Sequence, residues 1–463
     1  MAQFSFEQAA QATGGQWLQA PPHGVISGVQ TDTRQLTPGA LFIALRGANF
    51  DGHDFLHQAR ELGAVGAVVD NSDNAPADLP LLQVGDTLQA LGALAKAHRA
   101  KFAIPVIGVT GSYGKTTTRA LIATALSSQL KTLASEGNFN NEIGVPLTLL
   151  QLDETHQVAV IEMAMRGAGQ IEYLADIARP THAVITNIGP QHIELLGSEE
   201  NIARAKAEIL KFLPPHGVAI LPADDEYLDF FTDQVGCHVV RFGFNPSAEY
   251  HGAEVKTESD GTISFAITTD SHLRTHSVHL PFPGVHNVAN ALAALAVADL
   301  LDVPLDQAAK ALESAQVPGA RMRVEKLENG ITLIDDCYNA GPDSTRAALQ
   351  TLLDFPGSGR RVAVLGAMKE LGAHSEAEHR KIGALAGQFV ELLVGVGGET
   401  RPLLNSALQA AKEVENEMPT FYCDDATEAA GRVGEWLQSG DVVLVKGSRS
   451  IGLEVVVEAV KRI

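Results

Sequence analysis

VIGVTGSYGKTTT, residues 106–118, decides how the rest of the chain is read. The β-branched run from Val106 to Val109 predicts a buried parallel strand. It empties into Thr110-Gly111-Ser112-Tyr113-Gly114-Lys115-Thr116-Thr117, and RALIATALSSQL resumes a helical pattern at once. Strand, glycine-rich turn and helix are the parts of a phosphate cradle. Glycines let backbone N–H groups turn toward a polyphosphate, and the new helix N-terminus adds the positive end of its dipole. Lys115 is expected to reach the β- and γ-phosphates and Thr116 to ligate Mg²⁺. The usual spacing asks for glycine at 109, where this chain has Val109, with Gly108 and Gly111 on either side. A glycine-rich turn followed by a chance lysine is the competing reading. The strand before it, the helix after it and the intact Gly-Lys-Thr weigh against that.

Working outward, 463 residues are too many for one core, so two or three domains are expected. Hydrophobic residues make up 45% of the chain, enough to bury each. Lys and Arg total 34 against 55 Asp and Glu, a net charge of −21, with no basic run to suit a nucleic acid. An acidic protein that handles anionic nucleotides must concentrate its cations, glycine turns and metals locally. Cys237, Cys337 and Cys423 lie far apart with no CxxC pair, which suits a reducing cytoplasm and argues against disulfides or a zinc site. MAQFSFEQAAQATGG lacks the cationic and apolar regions of a signal peptide. The longest apolar helix, near 288–301, carries Asn290 and Asp299 and is too short to span a bilayer. A soluble cytoplasmic protein is expected.

The first hundred residues predict a small α/β unit: a short helix over 1–12, two alternating segments around turns, a helix at 55–62, strands AVGAVVD and LLQV, and a helix from Asp86 to Lys101. Two stretches are more polar than a loop requires: Thr31-Asp32-Thr33-Arg34, and Arg46-Gly47-Ala48-Asn49-Phe50-Asp51-Gly52-His53. Local capping by Asp32 and Asp51 competes evenly with a binding role.

After the cradle, EGNFNNEIGVPLTLL crowds Asn138, Asn140 and Asn141 into one loop, offering donors and acceptors to a polar substrate. Turn chemistry is the plain alternative. The strand VAVIEM ends in Glu162, where a Mg²⁺ ligand beside the cradle would sit. The strand THAVITN delivers His192, a plausible second ligand in company with Glu162 and Thr116. Lys206, in a helix over 199–212, reads on its own as a solvated lysine. Four strand-like pieces, GVAILP, HVVRFGF, ISFAITT and HSVHLPF, lead to PGVHNVAN and an alanine-rich helix. There Asn287 and Asn290, three apart, share a face able to meet an adenine edge, with a simple N-cap as the alternative.

Around QVPGAR (316–321) a new series starts, with strands VEKL, ITLIDD, RVAVLG, ELLVGVG, TFYC and VVLVKG alternating with helices at 342–354, 376–389, 402–413, 426–437 and 450–461. That alternation predicts an open parallel sheet covered on both faces, binding ligands at its carboxyl edge. Polar residues gather at the strand ends: Asp335-Asp336-Cys337-Tyr338-Asn339, Met368-Lys369-Glu370 and Lys446-Gly447-Ser448-Arg449. No GxGxxG marks a dinucleotide site. Arg321, at the junction, could reach a γ-phosphate across a cleft, and Lys446 with Arg449 could grip an anion.

GVTGSYGKTT, GNFNNEIGVPLTLL, IEMAMRGAGQI, TNIGPQHIELLGS, AKAEIL, PGVHNVANALAA, PGARM, DDCYNAGPDS, LGAMKELG and VKGSRS follow one another across nearly the whole chain. In this order they resemble the Mur ligases of peptidoglycan synthesis. The Asp-Asn-Pro-Arg acceptor signature usual in the tripeptide-forming member is missing. The resemblance implies an α/β fold in three domains: residues 1–103 for a UDP-sugar, a central P-loop-type ATPase over 104–317, and a Rossmann-like open sheet over 318–463 that closes on the site and takes the incoming dipeptide. It implies ATP-dependent addition of D-Ala-D-Ala to UDP-MurNAc-tripeptide through an acyl phosphate, in the cytoplasm, by a monomer, with two Mg²⁺ ions.

The resemblance also assigns residues. Gly111, Ser112, Gly114, Lys115, Thr116 and Thr117 form the ATP phosphate loop. Glu162 and His192 act with Thr116 on metal, and Lys206 matches a carbamylated lysine that supports the second ion, overturning the solvated reading. Asn287 and Asn290 match adenine contacts, Arg321 a γ-phosphate arginine (with Ala320 between it and Gly319) and Asp336 a ribose acceptor. Thr33, Arg34, Gly47, Phe50 and Asp51 fall where the UDP-sugar docks. Asn138, Asn140, Asn141, Tyr338, Asn339, Lys446 and Arg449 are candidates for peptide contacts. Two rival readings are a sister ligase adding a single amino acid and a P-loop switch without ligase chemistry, which leaves Glu162, His192 and Lys206 idle.

Overall fold

A computed structural model describes residues 2–21, 23–269 and 272–463. Its centre is a nine-stranded sheet built around Val106–Thr110. Val158–Glu162 and His182–Ile185 flank that strand in parallel, and Thr132–Ala134 lies outside the first of them. On the other side Val218–Pro222, His238–Gly243 and Tyr250–Thr257 continue in parallel. Ile263–Thr269 and His272–Leu280 close the edge antiparallel.

The inner strands are buried at every position because both faces are covered. Ile107, Val109, Val158, Val160 and Val184 face one core, with the helices Lys115–Ser127 and Val285–Leu300. Val106, Ala159, Ile161, Ala183 and Ile185 face the other. Gly108 breaks the β-branched run because a Cβ there would stand 2.7 Å from Ile209 Cδ1.

The first unit carries a five-stranded sheet, ordered Gln16–Trp17, Leu81–Gln83, Gly66–Val69, Leu41–Ile43 and Val29–Gln30, with only the first strand antiparallel. Where a helix over 1–12 is expected, Gln3–Ser5 instead pairs with Val25–Ser27 and the helix runs Phe6–Thr13; Met1 lies outside the described residues. Ser5 sets that start through a capping box with Gln8. The unit is fastened to the central one by the buried Arg99, whose guanidinium donates to Ala178 O (3.0 Å) and Phe102 O (2.5 Å).

The last sheet has six strands, ordered Arg323–Lys326, Thr332–Asp335, Val442–Lys446, Arg361–Gly366, Leu392–Val396 and Thr420–Cys423. Five are parallel; Arg323–Lys326, expected to be parallel too, runs antiparallel at the edge. The chain's last strand inserts between Thr332–Asp335 and Arg361–Gly366. It thereby sets Lys446 beside Asp336.

Two further differences from the sequence reading are local. Helix 199–212 is an α-helix only over Glu199–Ala207 and tightens to 3₁₀ over Glu208–Phe212. The strand Tyr250–Thr257 is absent from that reading. Its charged, half-exposed alternation and a register shift between Ala253 and Lys256, with Glu254 at φ +51°, hide the period of two.

Candidate active site

The phosphate loop leaves its strand through Gly111 (φ +147°) and enters the helix through Gly114 (φ +79°). A side chain at 111 would collide with Thr186, and one at 114 with Asn290. Gly114 is the N-cap and supplies no side-chain acceptor, so the first N–H groups of Lys115–Ser127 stay open to an anion. The loop is held from the neighbouring strand end. Gly189 N–H donates to Ser112 Oγ (3.0 Å), whose hydroxyl donates to Gly189 O (3.1 Å). Tyr113 N–H donates to Asn187 Oδ1 (3.0 Å), and Tyr113 O accepts from Asn187 Nδ2 (3.0 Å) and Thr186 Oγ1 (2.6 Å). Thr186 and Asn187 were not singled out in the sequence; their signal was adjacency to Ile188-Gly189-Pro190-Gln191-His192.

Lys115 is half-buried and folds back on the loop, donating to Gly111 O (2.7 Å) and Ser112 O (3.0 Å). Desolvation pulls its ammonium down to about 8, with the Glu162 carboxylate opposing. Lys206 is buried, and its Nζ donates to the same Gly111 O at 2.8 Å. Desolvation first, and the Lys115 charge second, hold its ammonium well below the ordinary lysine value.

Glu162 ends the strand Val158–Glu162 and is 1% exposed. Its Oε1 accepts from Thr116 Oγ1 (3.1 Å) and Asn140 Nδ2 (2.8 Å). Its Oε2 stands 3.7 Å from Arg119 Nε and has no hydrogen-bond partner. His192 adopts a left-handed backbone (φ +63°) at the start of Ile193–Leu196. Desolvation lowers its imidazole to about 4 against the pull of Glu370, so it is neutral at pH 7. Its Nδ1 lies 2.5 Å from Glu370 Oε2.

An orphaned buried carboxylate oxygen, a threonine hydroxyl already turned to that carboxylate and a neutral imidazole are a donor set that suits a hard divalent cation. Among the described residues no group of three or more His, Cys, Asp and Glu could hold a metal. A cation here therefore draws on this mixed set.

Thr116, Glu162 and His192 line a cavity of about 250 Å³ together with Lys115, Thr117, Asn138, Asn140, Asn287 and Asn290. The last sheet contributes Asp336, Tyr338, Asn339 and Lys446 to the same cavity, and the junction contributes Arg321. Lys446 Nζ pairs with Asp336 Oδ2 (2.5 Å) and donates to Asn339 O (3.0 Å). Burial pushes the Asp336 carboxyl up while Lys446 draws it down. Arg321 stacks its guanidinium 3.8 Å from the Tyr338 ring centroid. Asn287 donates to Pro283 O (2.7 Å), Asn290 Nδ2 donates to Asn287 Oδ1 (3.2 Å), and Asn290 Oδ1 accepts from Thr118 Oγ1 (3.0 Å). His286, between the expected adenine contacts and Gly284, also lines the cavity, and desolvation lowers its imidazole to about 4.

Other expected site residues stand elsewhere. Asn141 turns the chain into the helix Gly144–Leu149, its Oδ1 accepting from Ile143 N–H (3.2 Å) and Gly144 N–H (2.9 Å). Arg449 pairs with Glu454 and lies 5.5 Å from the Tyr338 ring centroid. Thr33, Arg34, Gly47, Phe50 and Asp51 lie on the first unit and none of them lines that cavity. Thr33 donates to Gln58 Oε1 (2.9 Å), and Asp32 both pairs with Arg34 (2.6 Å) and caps its 3₁₀ turn. Asp51 caps Gly52–Phe55 and pairs with Arg46 (2.9 Å) and His53 (2.5 Å). The Phe50 ring packs over Gly47 and is 60% exposed.

Three family models match in succession: the Mur ligase family catalytic domain over residues 25–99, the Mur ligase middle domain over 109–298 and the Mur ligase glutamate ligase domain over 320–449. The UDP-N-acetylmuramoyl-tripeptide–D-alanyl-D-alanine ligase of Bacillus subtilis is 38% identical, covering 94% of this chain and 93% of its own. The Escherichia coli ligase of the same name is 38% identical with 94% of each covered. The crystal structure of MurF from Acinetobacter baumannii superposes with a TM-score of 0.90 at 34% identity over 100% of both chains. MurF ligase from Thermotoga maritima in complex with ADP superposes at 0.83, with 27% identity over 94% of this chain and 97% of that one.

Proposed function

The chain belongs to the Mur ligase family, and from that membership we propose that it joins D-Ala-D-Ala to UDP-MurNAc-tripeptide at the expense of ATP. The observation that carries this reading is the convergence of Lys115, Thr116, Glu162 and His192 from the central unit on a cavity that is also lined by Arg321 from the junction and by Asp336 and Lys446 from the last unit. No described helix is long and apolar enough to cross a membrane, and the proposed setting is the cytoplasm.

A carboxylate is a poor electrophile, and phosphorylation gives it a leaving group. In the first step the terminal carboxylate oxygen of the tripeptide attacks the γ-phosphorus, the bond from that phosphorus to the bridging oxygen breaks, and ADP leaves. In the second, the neutral amine of D-Ala-D-Ala attacks the acyl carbon. The tetrahedral intermediate then expels inorganic phosphate and the nitrogen loses its proton. The first step brings two anions together, so its barrier is electrostatic. Lys115 and Arg321, both lining the cavity, would neutralise the transferring phosphoryl group, and the N–H groups after Gly114 would cradle it. Thr116, Glu162, His192 and Lys206 as a carbamate would hold the divalent cations, which supply the remaining charge neutralisation. Lys206 suits that modification because burial lowers its ammonium well below the ordinary lysine value and so favours the neutral amine, the form that adds to CO₂. Apposition of the last sheet keeps water from the acyl phosphate.

The proposed division of labour is residues 1–103 for the UDP-sugar, 104–317 for ATP and 318–463 for the dipeptide. The exposed Phe50 ring, beside the charged cluster of Arg46, Asp51 and His53, offers an aromatic face and polar partners to a sugar nucleotide.

The test is phosphate release by purified protein offered ATP, UDP-MurNAc-tripeptide and D-Ala-D-Ala. Turnover that requires all three supports the reading, and equal turnover with a single amino acid would sink it in favour of a sister ligase. ¹⁸O in the peptide carboxylate must appear in the released phosphate.

A further inference from the structure

LGAMKELG, which begins in the last two residues of the strand Arg361–Gly366, has no part in the mechanism above, yet one of its side chains reaches His192. Glu370, on the last unit, holds Oε2 2.5 Å from Nδ1 of His192, on the central one. Both residues have left-handed backbones, at φ +64° and +63°.

The segment bearing Glu370 is braced on each side. Met368 N–H donates to His379 Nε2 (3.0 Å), while His379 Nδ1 donates to Ser375 O (2.7 Å), fixing that buried ring in one tautomer. Lys369 N–H donates to Ser448 Oγ (2.9 Å), and its side chain pairs with Glu399. Beyond it, Gly372 (φ +51°) abuts Glu194, where an added Cβ would stand 2.9 Å from Glu194 Cγ. The carboxylate is thus presented by a rigid loop docked on the segment that carries His192.

A metal-ligating histidine commonly gives its second ring nitrogen to a carboxylate, which sets tautomer and ring orientation and raises ligand basicity. Nδ1 stands against the Glu370 carboxylate in ion-pair contact, though not aligned into a hydrogen bond, which leaves Nε2 as the nitrogen free for a cation in the cavity that Glu162 and Thr116 also line. We propose that Glu370 is a positioning residue for His192, supplied across the unit boundary so that the cation site is complete only when the last unit is docked. This rests on the Mur ligase reading of the cavity. It adds that docking and cation affinity are coupled, although Glu370 itself touches neither nucleotide nor metal.

Mn²⁺ binding to the full-length protein with ADP, followed by electron paramagnetic resonance, tests this without turnover. Glu370→Gln and Glu370→Ala should weaken one class of bound Mn²⁺ by about 10–100-fold, with Glu370→Asp in between. His192→Ala should abolish that class, and His192→Ala/Glu370→Ala should bind Mn²⁺ and ADP no worse than His192→Ala alone. ADP binding without metal, compared across the set, checks that each variant is folded. Mn²⁺ affinity of Glu370→Ala within about twofold of the parent overturns the proposal, as does a further loss in the double variant, which marks a docking contact only. If the parent protein itself binds no Mn²⁺ with ADP, the reading of the cavity falls and takes this proposal with it, a result distinct from equal binding by parent and variants.

Discussion

Lys115 and Lys206 donate to one and the same acceptor, the carbonyl oxygen of Gly111, at 2.7 and 2.8 Å. Lys206 is buried and Lys115 half-buried, and two ammonium ions sharing one oxygen repel each other. Neutral Lys206 would relieve the pair, and the proposed anionic carbamate would relieve it further. Lys206→Ala should therefore lose about 100-fold or more in turnover, the scale of one electrostatic contact in a closed site. Added formate or acetate should restore part of it. Turnover near that of the parent in bicarbonate-free buffer would remove the carbamate from the mechanism.

Nucleotide binding should take up a proton at alkaline pH. Desolvation holds Lys115 at about 8 in the free protein, and a bound polyphosphate stabilises its charged form and raises that value. Below pH 8 the amine is already protonated, so uptake is small. Between about 8 and the ordinary lysine value near 10.4 it approaches one proton per site. Calorimetry of ADP binding at pH 9 in buffers of different ionisation enthalpy measures this directly, and zero uptake contradicts it. The same depression makes the free protein gain stability as pH rises from about 8 toward 10.4, where the unfolded chain binds more protons than the native one.

Gly111→Ala and Gly114→Ala each force a Cβ onto a positive φ and into Thr186 or Asn290. Each should destabilise the protein by about 1–3 kcal/mol and raise the KM for ATP by at least about tenfold, because the N–H groups of the loop lose their alignment. Val109→Gly, which restores the more usual glycine position, should not improve ATP binding, since Val109 is core and buried.

Asp336 and Lys446 form a buried pair, their side chains 10% and 3% exposed. Removing either partner leaves a charge without compensation. Asp336→Ala or Lys446→Ala should cost about 3–5 kcal/mol in urea denaturation. Asp336→Asn should raise the KM for ATP as well, if this carboxylate also meets the ribose. A stability change under about 1 kcal/mol would mean that the pair is solvated.

The phosphate loop, Glu162, His192 and the alternation of the last sheet were legible in the chain because each is written locally: a glycine spacing, a carboxylate at a strand end, a period of two or 3.6. Lys206 was legible only through resemblance, since nothing near it in sequence betrays that its amine is buried against Gly111. Asn141 shows the opposite case, where three asparagines in one loop look alike and only packing separates the turn residue from the two that enter the cavity. Glu370 was visible as a polar strand end but not as the partner of His192.

By itself the sequence determined most of the segments that become strands and helices, and that a glycine-rich turn of the phosphate-cradle kind follows Val106–Thr110, because backbone geometry and burial period act over a few residues. The tertiary structure alone decided which side chains distant in sequence meet: Lys115 with Lys206 on one carbonyl, Lys446 with Asp336, Glu370 with His192. Those pairings depend on strand order and on how one sheet's carboxyl edge faces another, and such distances are set by the packing of whole layers.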